Sequence, residues 1–347
     1  MEQHNVISID LAKSSFHVYV INKNNQSTTN RSFSRQPLKN WLARQKPSLV
    51  ALEACGSAHY WARQVIAMGH QVVLLPPKVV VPFRQGHKTD ERDARAIAIA
   101  ARQPDLKTVA VKTLEQQGLQ GIERIREHWS DHLTATGNLI RGLLYEFGIT
   151  VPKGQATLRN RIPEVLEDAE NELPDAFRKQ LAELYQAYLS HSDQLAQVEK
   201  SLSSLVASQA ECKRLMELEG VGPVNALGLY LAIGAQGGSF QNGREAAACI
   251  GLTPKQYSTD GVVTLGRIGK QSGNKRLRSK LIQGALSVVK VIEQRVPRNH
   301  KEAWLKALIE RCGKRRAAVA LANKTTRTAW AMLKHEENYQ APKPLPA

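Results

Sequence analysis

The sequence contains no apolar run long enough to span a bilayer, and its first residues carry no signal-peptide pattern. Both absences predict a cytoplasmic protein, nucleoid-associated in a bacterium, with no membrane partner. Cysteine is scarce: Cys55, Cys212, Cys249 and Cys312 lie far apart and form no paired metal spacing. A thiolate metal centre and a disulfide framework are therefore not expected, and the four read as reduced thiols. There is no internal repeat and no low-complexity tract, and only residues 341–347 read as disordered. Acid is also in short supply. Thirty-one Asp and Glu face 48 Lys and Arg, leaving a net charge of +17. Such a balance calls for a polyanionic partner, with nucleic acid the first candidate.

The imbalance is local. Residues 264–330 hold seventeen Lys or Arg and three acids, an excess of fourteen positive charges. Residues 164–199 reverse it, with nine acids and two basic residues, and would be repelled by a phosphate backbone. The basic segment is expected to meet nucleic acid, and the acidic one protein or solvent.

Four of the acids stand out by position. Asp10 closes the apolar run Val6-Ile7-Ser8-Ile9, and Glu53 closes Leu49-Val50-Ala51-Leu52, both readable as buried strands. Asp90 and Asp93 open a helical stretch, and their spacing of three puts them on one face. Burying an unpaired carboxylate is expensive, so strand-end acids are not packing residues. Hard divalent cations want oxygen ligands, and two such ions held side by side stabilise both the attacking and leaving oxygens of a phosphoryl displacement. Read singly, each acid would be a surface carboxylate; together they point to Mg2+ in a two-metal site.

At 347 residues the chain can build two or three domains. Strands are expected at 6–9, 16–21, near Phe33, at 49–52 and at 71–75, with helices at 37–45 and 58–68. Residues 1–110 are thus α/β, a mixed sheet with helices packed on it. The strand–hairpin–strand opening that carries Asp10 resembles the ribonuclease H fold. A helical region follows over 111–210. Its second half carries a heptad seam, Leu181, Leu184, Tyr188, His191, Leu195, Val198, Leu202 and Leu205, suited to coiled-coil pairing or to packing within the chain. On the first reading, charged residues at Leu195 and Leu202 would yield folded monomers. A mainly α-helical unit over 211–335 and a flexible tail over 336–347 complete the chain. The turn Gly220-Val221-Gly222-Pro223 opens an apolar helix, where Gly220 and Gly222 would offer backbone N–H groups to a phosphate.

Several motifs converge on one family. They are Ile9-Asp10-Leu11-Ala12-Lys13, Glu53-Ala54-Cys55-Gly56, Lys88-Thr89-Asp90-Glu91-Arg92-Asp93-Ala94, the Asn138–Leu144 helix, and the block from Gly251 to Arg278. In order and spread over nearly the whole chain, they resemble the insertion-sequence transposases of the one-ten family, eleven-eleven branch. The resemblance implies a RuvC-like N-terminal domain with a DEDD quartet, mapped onto Asp10, Glu53, Asp90 and Asp93, and a separate C-terminal transposase domain. It also implies a nucleophilic serine, which by its position after Gly-Leu-Thr-Pro is Ser258, with Ser272 a second candidate. Read alone, Ser258 before Thr259-Asp260-Gly261 is a turn residue. The implied reaction is DNA strand exchange through a covalent serine–DNA link. Its implied partners are double-stranded DNA at element ends and target, a structured noncoding guide RNA, and further copies of the chain as a dimer or tetramer. Candidate nucleic-acid contacts are Lys13, Lys88, Arg141, Gly220, Gly222, Lys255, Arg267, Lys270, Asn274, Lys275, Arg276 and Arg278. Two other readings remain: a RuvC-like junction resolvase in which metals activate water, and a non-catalytic nucleic-acid scaffold.

Overall fold

Strand β1 (Val6–Leu11) is buried from Val6 to Ile9, which requires cover on both faces of its sheet. It pairs antiparallel with β2 (Ser15–Ile21), and β2 with β3 (Ser27–Ser34). After α1 (Arg35–Ala43), β4 (Leu49–Glu53) runs parallel to β1. After α2 (Ala58–Ala67), β5 (Gln71–Leu75) runs parallel to β4, giving the order β3-β2-β1-β4-β5. Residues 5–344 are described in this computed structural model, apart from 25, 105, 239, 270 and 271.

One face of the sheet presents Ile7, Ile9, Val18 and Leu52 to Leu38 and Leu42 of α1 and to Trp61, Ala62 and Val65 of α2. Phe16 meets Trp61 edge-on, with ring centroids 4.9 Å apart. The other face presents Val6, Ile21 and Ala51 to α3 (Pro77–Val80) and α4 (Asp90–Ala100), through Val80, Ala96, Ile97 and Ala98. The strands and helices expected up to residue 75 are all present, and the sheet is mixed as expected.

A helical region follows. α5 (Leu114–Tyr145) and α7 (Asp175–Ser208) lie antiparallel: Arg126 pairs with Glu199 at 2.6 Å, and further along Thr136 meets His191 at 3.4 Å. Between them in sequence, α6 (Gln155–Glu167) contains Pro163, which reads in sequence as a break. Proline supplies no N–H for the carbonyl of Arg159 four residues back. The Tyr185 hydroxyl donates to that carbonyl instead, at 2.9 Å, so the helix continues.

The heptad seam is consumed within the chain. Leu181 and Tyr188 are buried with Leu133, Ile140, Leu158 and Ile162, and Leu184 and Leu195 pack against that core. Leu202 is 1% exposed, and only Leu205, at 40%, faces outward among the large apolar seam residues. Charged residues at Leu195 or Leu202 would therefore place a charge in or against a core. The expectation of folded monomers from such changes does not hold.

The remaining elements are α8 (Ala210–Leu215), α9 (Pro223–Ile233), α10 (Gly243–Ile250), the hairpin β6 (Gln256–Thr259) and β7 (Val262–Leu265), then α11 (Lys275–Glu293), α12 (His300–Cys312) and α13 (Lys314–His335). The tail is tied down where it is described: the Tyr339 hydroxyl lies 3.0 Å from Lys301 Nζ and 2.9 Å from Glu219 Oε1. Residues 345–347 fall outside the described set. The fold divides into two compact units. One comprises residues 1–115, 232–249 and 326–337, the other 116–231, 250–325 and 338–347.

In the second unit Gly220, at φ +77°, faces Gly284 of α11 so closely that a Cβ on Gly284 would stand 2.1 Å from the Gly220 carbonyl oxygen. Neither backbone can yield without moving α11 or the turn that leads into α9. Gly284→Ala should cost on the order of 2 kcal/mol, read as a lower urea midpoint with an unchanged m value.

Candidate active site

Asp10 and Glu53 occupy the C-terminal ends of neighbouring parallel strands. The register Ile9↔Leu52 places them side by side, on the sheet face that α4 covers. At those ends cover from the helices stops, and both carboxylates are half-buried. Thr89 caps α4, its hydroxyl accepting from the Arg92 backbone N–H, and Asp90, Glu91 and Asp93 fill the first turn. Acids there suit the helix dipole, which accounts for Asp90 and Glu91 without any further role. It does not account for Asp10 or Glu53.

A buried hydroxyl fixes the helix against the strand. Ser8, fully buried on the Asp10 face, lies 2.7 Å from the carbonyl oxygen of Ala94 and 2.8 Å from that of Tyr19. Ala94 follows Asp93 directly, so this contact sets where the first turn of α4 sits relative to Asp10. Sequence reading missed Ser8, because a serine in an apolar strand shows nothing until its partner helix is placed.

The acids share one field. Burial first, then the negative charges of Asp93, Asp90 and Glu53, push the Asp10 carboxyl up to about 6, while Lys88 opposes them. Glu53 is raised too, first by burial and then by Asp93, against Lys88 and Arg84. Arg84 holds Asp93 at 3.2 Å. The donor set, hard oxygens under mutual repulsion, fits a divalent cation. Among the described residues, however, no three Asp, Glu, His or Cys side chains stand close enough to grip one ion together. The expected quartet is brought into electrostatic range but not closed.

Ser258 stands on β6, paired with Val263 of β7. Asp260 and Gly261, at φ +50° and +79°, form the tight turn, so Ser258 is a strand residue and not a turn residue. Every residue of both strands is exposed, including Tyr257, Val262, Val263 and Leu265. Ser272 has its backbone engaged: its N–H donates to Gly269, and its carbonyl accepts from Arg278 at 2.6 Å.

Several candidate nucleic-acid contacts have internal roles. Arg278 also reaches the carbonyls of Gly251 and Gly269. Arg141 donates to the carbonyls of Gly137, Pro152 and Gly154. Arg276 pairs with Glu127 and Asp131, Asn274 caps α11, and Gly220 packs on Gly284. Lys13, Lys88, Gly222, Lys255, Arg267 and Lys275 are exposed or half-buried, and Lys270 lies outside the described residues.

Comparison with known proteins decides the family. A DEDD transposase model of the IS110 type matches residues 7–149, and one described as Transposase IS116/IS110/IS902 family matches residues 212–301. The chain belongs to the IS110 family of transposases. It is 37% identical to a "Probable family 20 transposase" of Pseudomonas aeruginosa, over 96% of this chain and 98% of that one. It is 34% identical to the transposase for insertion sequence element IS1111A of Coxiella burnetii, over 98% and 92%. With the transposase for IS1328 of Yersinia enterocolitica the identity is 35%, over 94% and 96%. This IS110-family chain is therefore a recombination enzyme whose partner is DNA, and none of its described helices is long and apolar enough to cross a membrane.

The raised Asp10 carboxyl has a consequence for stability. Its folded value of about 6 exceeds the ordinary 3.8, so the folded protein holds this proton more tightly than the unfolded chain does. Stability from this group is full below pH 3.8 and is lost as pH rises through 6. In metal-free buffer Asp10→Asn should raise stability at pH 8 by on the order of 1 kcal/mol after solvent screening, with the gain vanishing below about pH 4. Thermal melts across that range check it.

Proposed function

We propose that this transposase cuts and rejoins DNA strands through a covalent serine–DNA intermediate, with Ser258 as nucleophile and Asp10, Glu53, Asp90 and Asp93 as the ligands of Mg2+ in a two-metal site. The observation that carries the reading is the crowding of half-buried carboxylates around Asp10 in a chain of IS110 descent. Carboxylates that repel one another while partly out of water are held at a cost to the fold, and a bound cation removes that cost. The N-terminal sheet, with antiparallel β1–β3 and parallel β4 and β5, suits the RuvC-like assignment.

When bound, divalent ions neutralise charge on the phosphoryl oxygens. The Ser258 oxygen attacks phosphorus, forming an Oγ–P bond. The P–O bond to the departing strand breaks, the hydroxyl proton passes to a base, and the departing strand leaves as a hydroxyl end. Reversal with a second strand's hydroxyl restores the serine, so no external energy source is needed. A serine hydroxyl is a weak nucleophile until a base or cation activates it. Lys255 and Arg267, at the foot of the hairpin, are the nearest candidates in sequence.

The basic C-terminal segment would carry the phosphate backbone of DNA and of a structured guide RNA. Lys314, Arg315 and Arg316 support this, because they open α13, where the helix dipole disfavours cations and no acid offsets them in the first turn. Among the three, an ion pair is seen only for Lys314, with Glu293 at 2.7 Å. Placement there is explained by a polyanion. Self-association as a dimer or tetramer completes the proposal, with some surface other than the α7 seam.

Two measurements test the reading. Ser258→Ala should eliminate the covalent protein–DNA adduct on denaturing gels, and Ser272→Ala should spare it; a normal adduct from Ser258→Ala would sink the serine assignment. If wild type itself cuts without any adduct, the resolvase mechanism replaces it. Separately, millimolar Mg2+ or Mn2+ at about pH 8 should raise the melting temperature of wild type and leave that of Asp10→Asn unmoved.

A further inference from the structure

Helix α4 also borders a cavity away from its acids. That cavity, of about 260 Å3, is lined by Phe83, Gln85, Gly86, Arg92 and Arg95. Its lining contains two guanidiniums, an aromatic ring and a side-chain amide, and no acid. Arg92 is held in place by the His87 carbonyl at 3.3 Å, and lies over Gly86 so closely that a Cβ there would stand 2.8 Å from the guanidinium. Gly86 adopts φ +74°, so the residue that leaves room for Arg92 also has the backbone that favours glycine.

Arg95 should find a partner in Glu91, one helical turn before it. Instead Glu91 accepts from the Asn30 side chain at 2.7 Å, and Asn30 in turn meets His17 at 2.7 Å. Diverting Glu91 to β3 leaves Arg95 with no hydrogen bond or ion pair to any described residue. An exposed arginine is ordinary. Two on one wall of a cavity, one positioned by backbone and the other deprived of its natural counter-ion, are arranged for an anion.

We propose that this pocket takes one nucleotide of a DNA strand, with its phosphate on Arg92 and Arg95 and its base against Phe83. The half-buried Phe83 ring offers a stacking face that any base can use, and Gln85 can both donate to and accept from a base edge. Asp90 and Asp93 lie on one side of the first turns of α4 and Arg92 and Arg95 on the opposite side, on the order of 10 Å apart across a helix. A strand lying at Asp10 and Asp93 and passing over the N-terminus of α4 would thus be gripped a short way further along. The inference rests on the reading of the acid cluster as the place where a DNA strand is handled.

Binding, not cutting, tests it. Full-length protein in EDTA would be titrated into a fluorescent single-stranded DNA decamer and followed by anisotropy at several salt concentrations. The Arg92→Gln/Arg95→Gln pair should weaken binding at least about tenfold and make the log–log salt slope shallower by about 0.7 for each phosphate left without its arginine. Phe83→Leu should weaken it several-fold with the slope unchanged. Because Phe83 also borders the core, a decamer of abasic sites gives the same answer without mutation, and should bind wild type as weakly as Phe83→Leu binds the normal strand. Unchanged affinity and slope in the double arginine variant would overturn the proposal. Equal binding of abasic and normal strands would reduce the site to a plain anion hole, and tighter binding of the matching RNA decamer would assign it to RNA; either result rejects the pocket as a DNA nucleotide site. None of these readouts depends on Ser258, so failure of the adduct assay and failure here are distinguishable.

Discussion

Burial of the central strands β1 and β4 on both faces is the constraint from which the site follows. With α1 and α2 on one side and α3 and α4 on the other, the residues of β1 and β4 reach water only at strand ends. Asp10 and Glu53 stand at two such ends, on neighbouring strands and the same face, where α4 delivers its own carboxylates. The cost of holding them together is visible in the raised Asp10 and Glu53 carboxyls. That cost is limited because each retains partial access to solvent and because Lys88 and Arg84 lie nearby. A deeper site would have neutralised the acids, and a more exposed one would have let water screen them.

Much of the positive charge that marks this chain as a nucleic-acid protein is first a structural resource. Arg278 and Arg141 each reach three backbone carbonyls. Lys280 and Arg276 tie α11 to the acids of α5, and Lys301 joins Glu219 and Tyr339. A planar guanidinium with five donors suits loop carbonyls that no helix or strand can pair. Among the cations left over for a phosphate backbone, three are distinguished by poor company: Arg315 and Arg316 at a helix start, and Arg95 beside a glutamate that bonds elsewhere.

The hairpin that carries Ser258 poses the opposite problem. A two-stranded ribbon with both faces in water is marginal by itself, and this one exposes Tyr257, Val262, Val263 and Leu265. Its Asp-Gly turn supplies the local bias that keeps it formed. As the proposed nucleophile, Ser258 would have reach from such a ribbon, and no side chain among the described residues hydrogen-bonds to its hydroxyl, which suits a residue that acts only within a larger assembly.

The sequence by itself determined the order of the N-terminal elements, because short apolar runs and the alternating strand β2 announce themselves through local pattern. It also singled out Asp10 and Glu53, since carboxylates ending apolar runs have no packing explanation, and the family, since its motifs recur in order. Tertiary structure alone decided what depends on a partner far along the chain. The α7 seam looked available for another molecule until α5 and α6 were seen to fill it. Pro163 looked like a break until Tyr185 was found on the carbonyl it strands. Gly220 looked like a phosphate loop until Gly284 came within backbone contact. Arginines that look alike in sequence divide into staples and free cations only when the carbonyls around them are placed. Hydrophobic period and turn chemistry are local and therefore legible; which polar group satisfies which is a property of the closed fold.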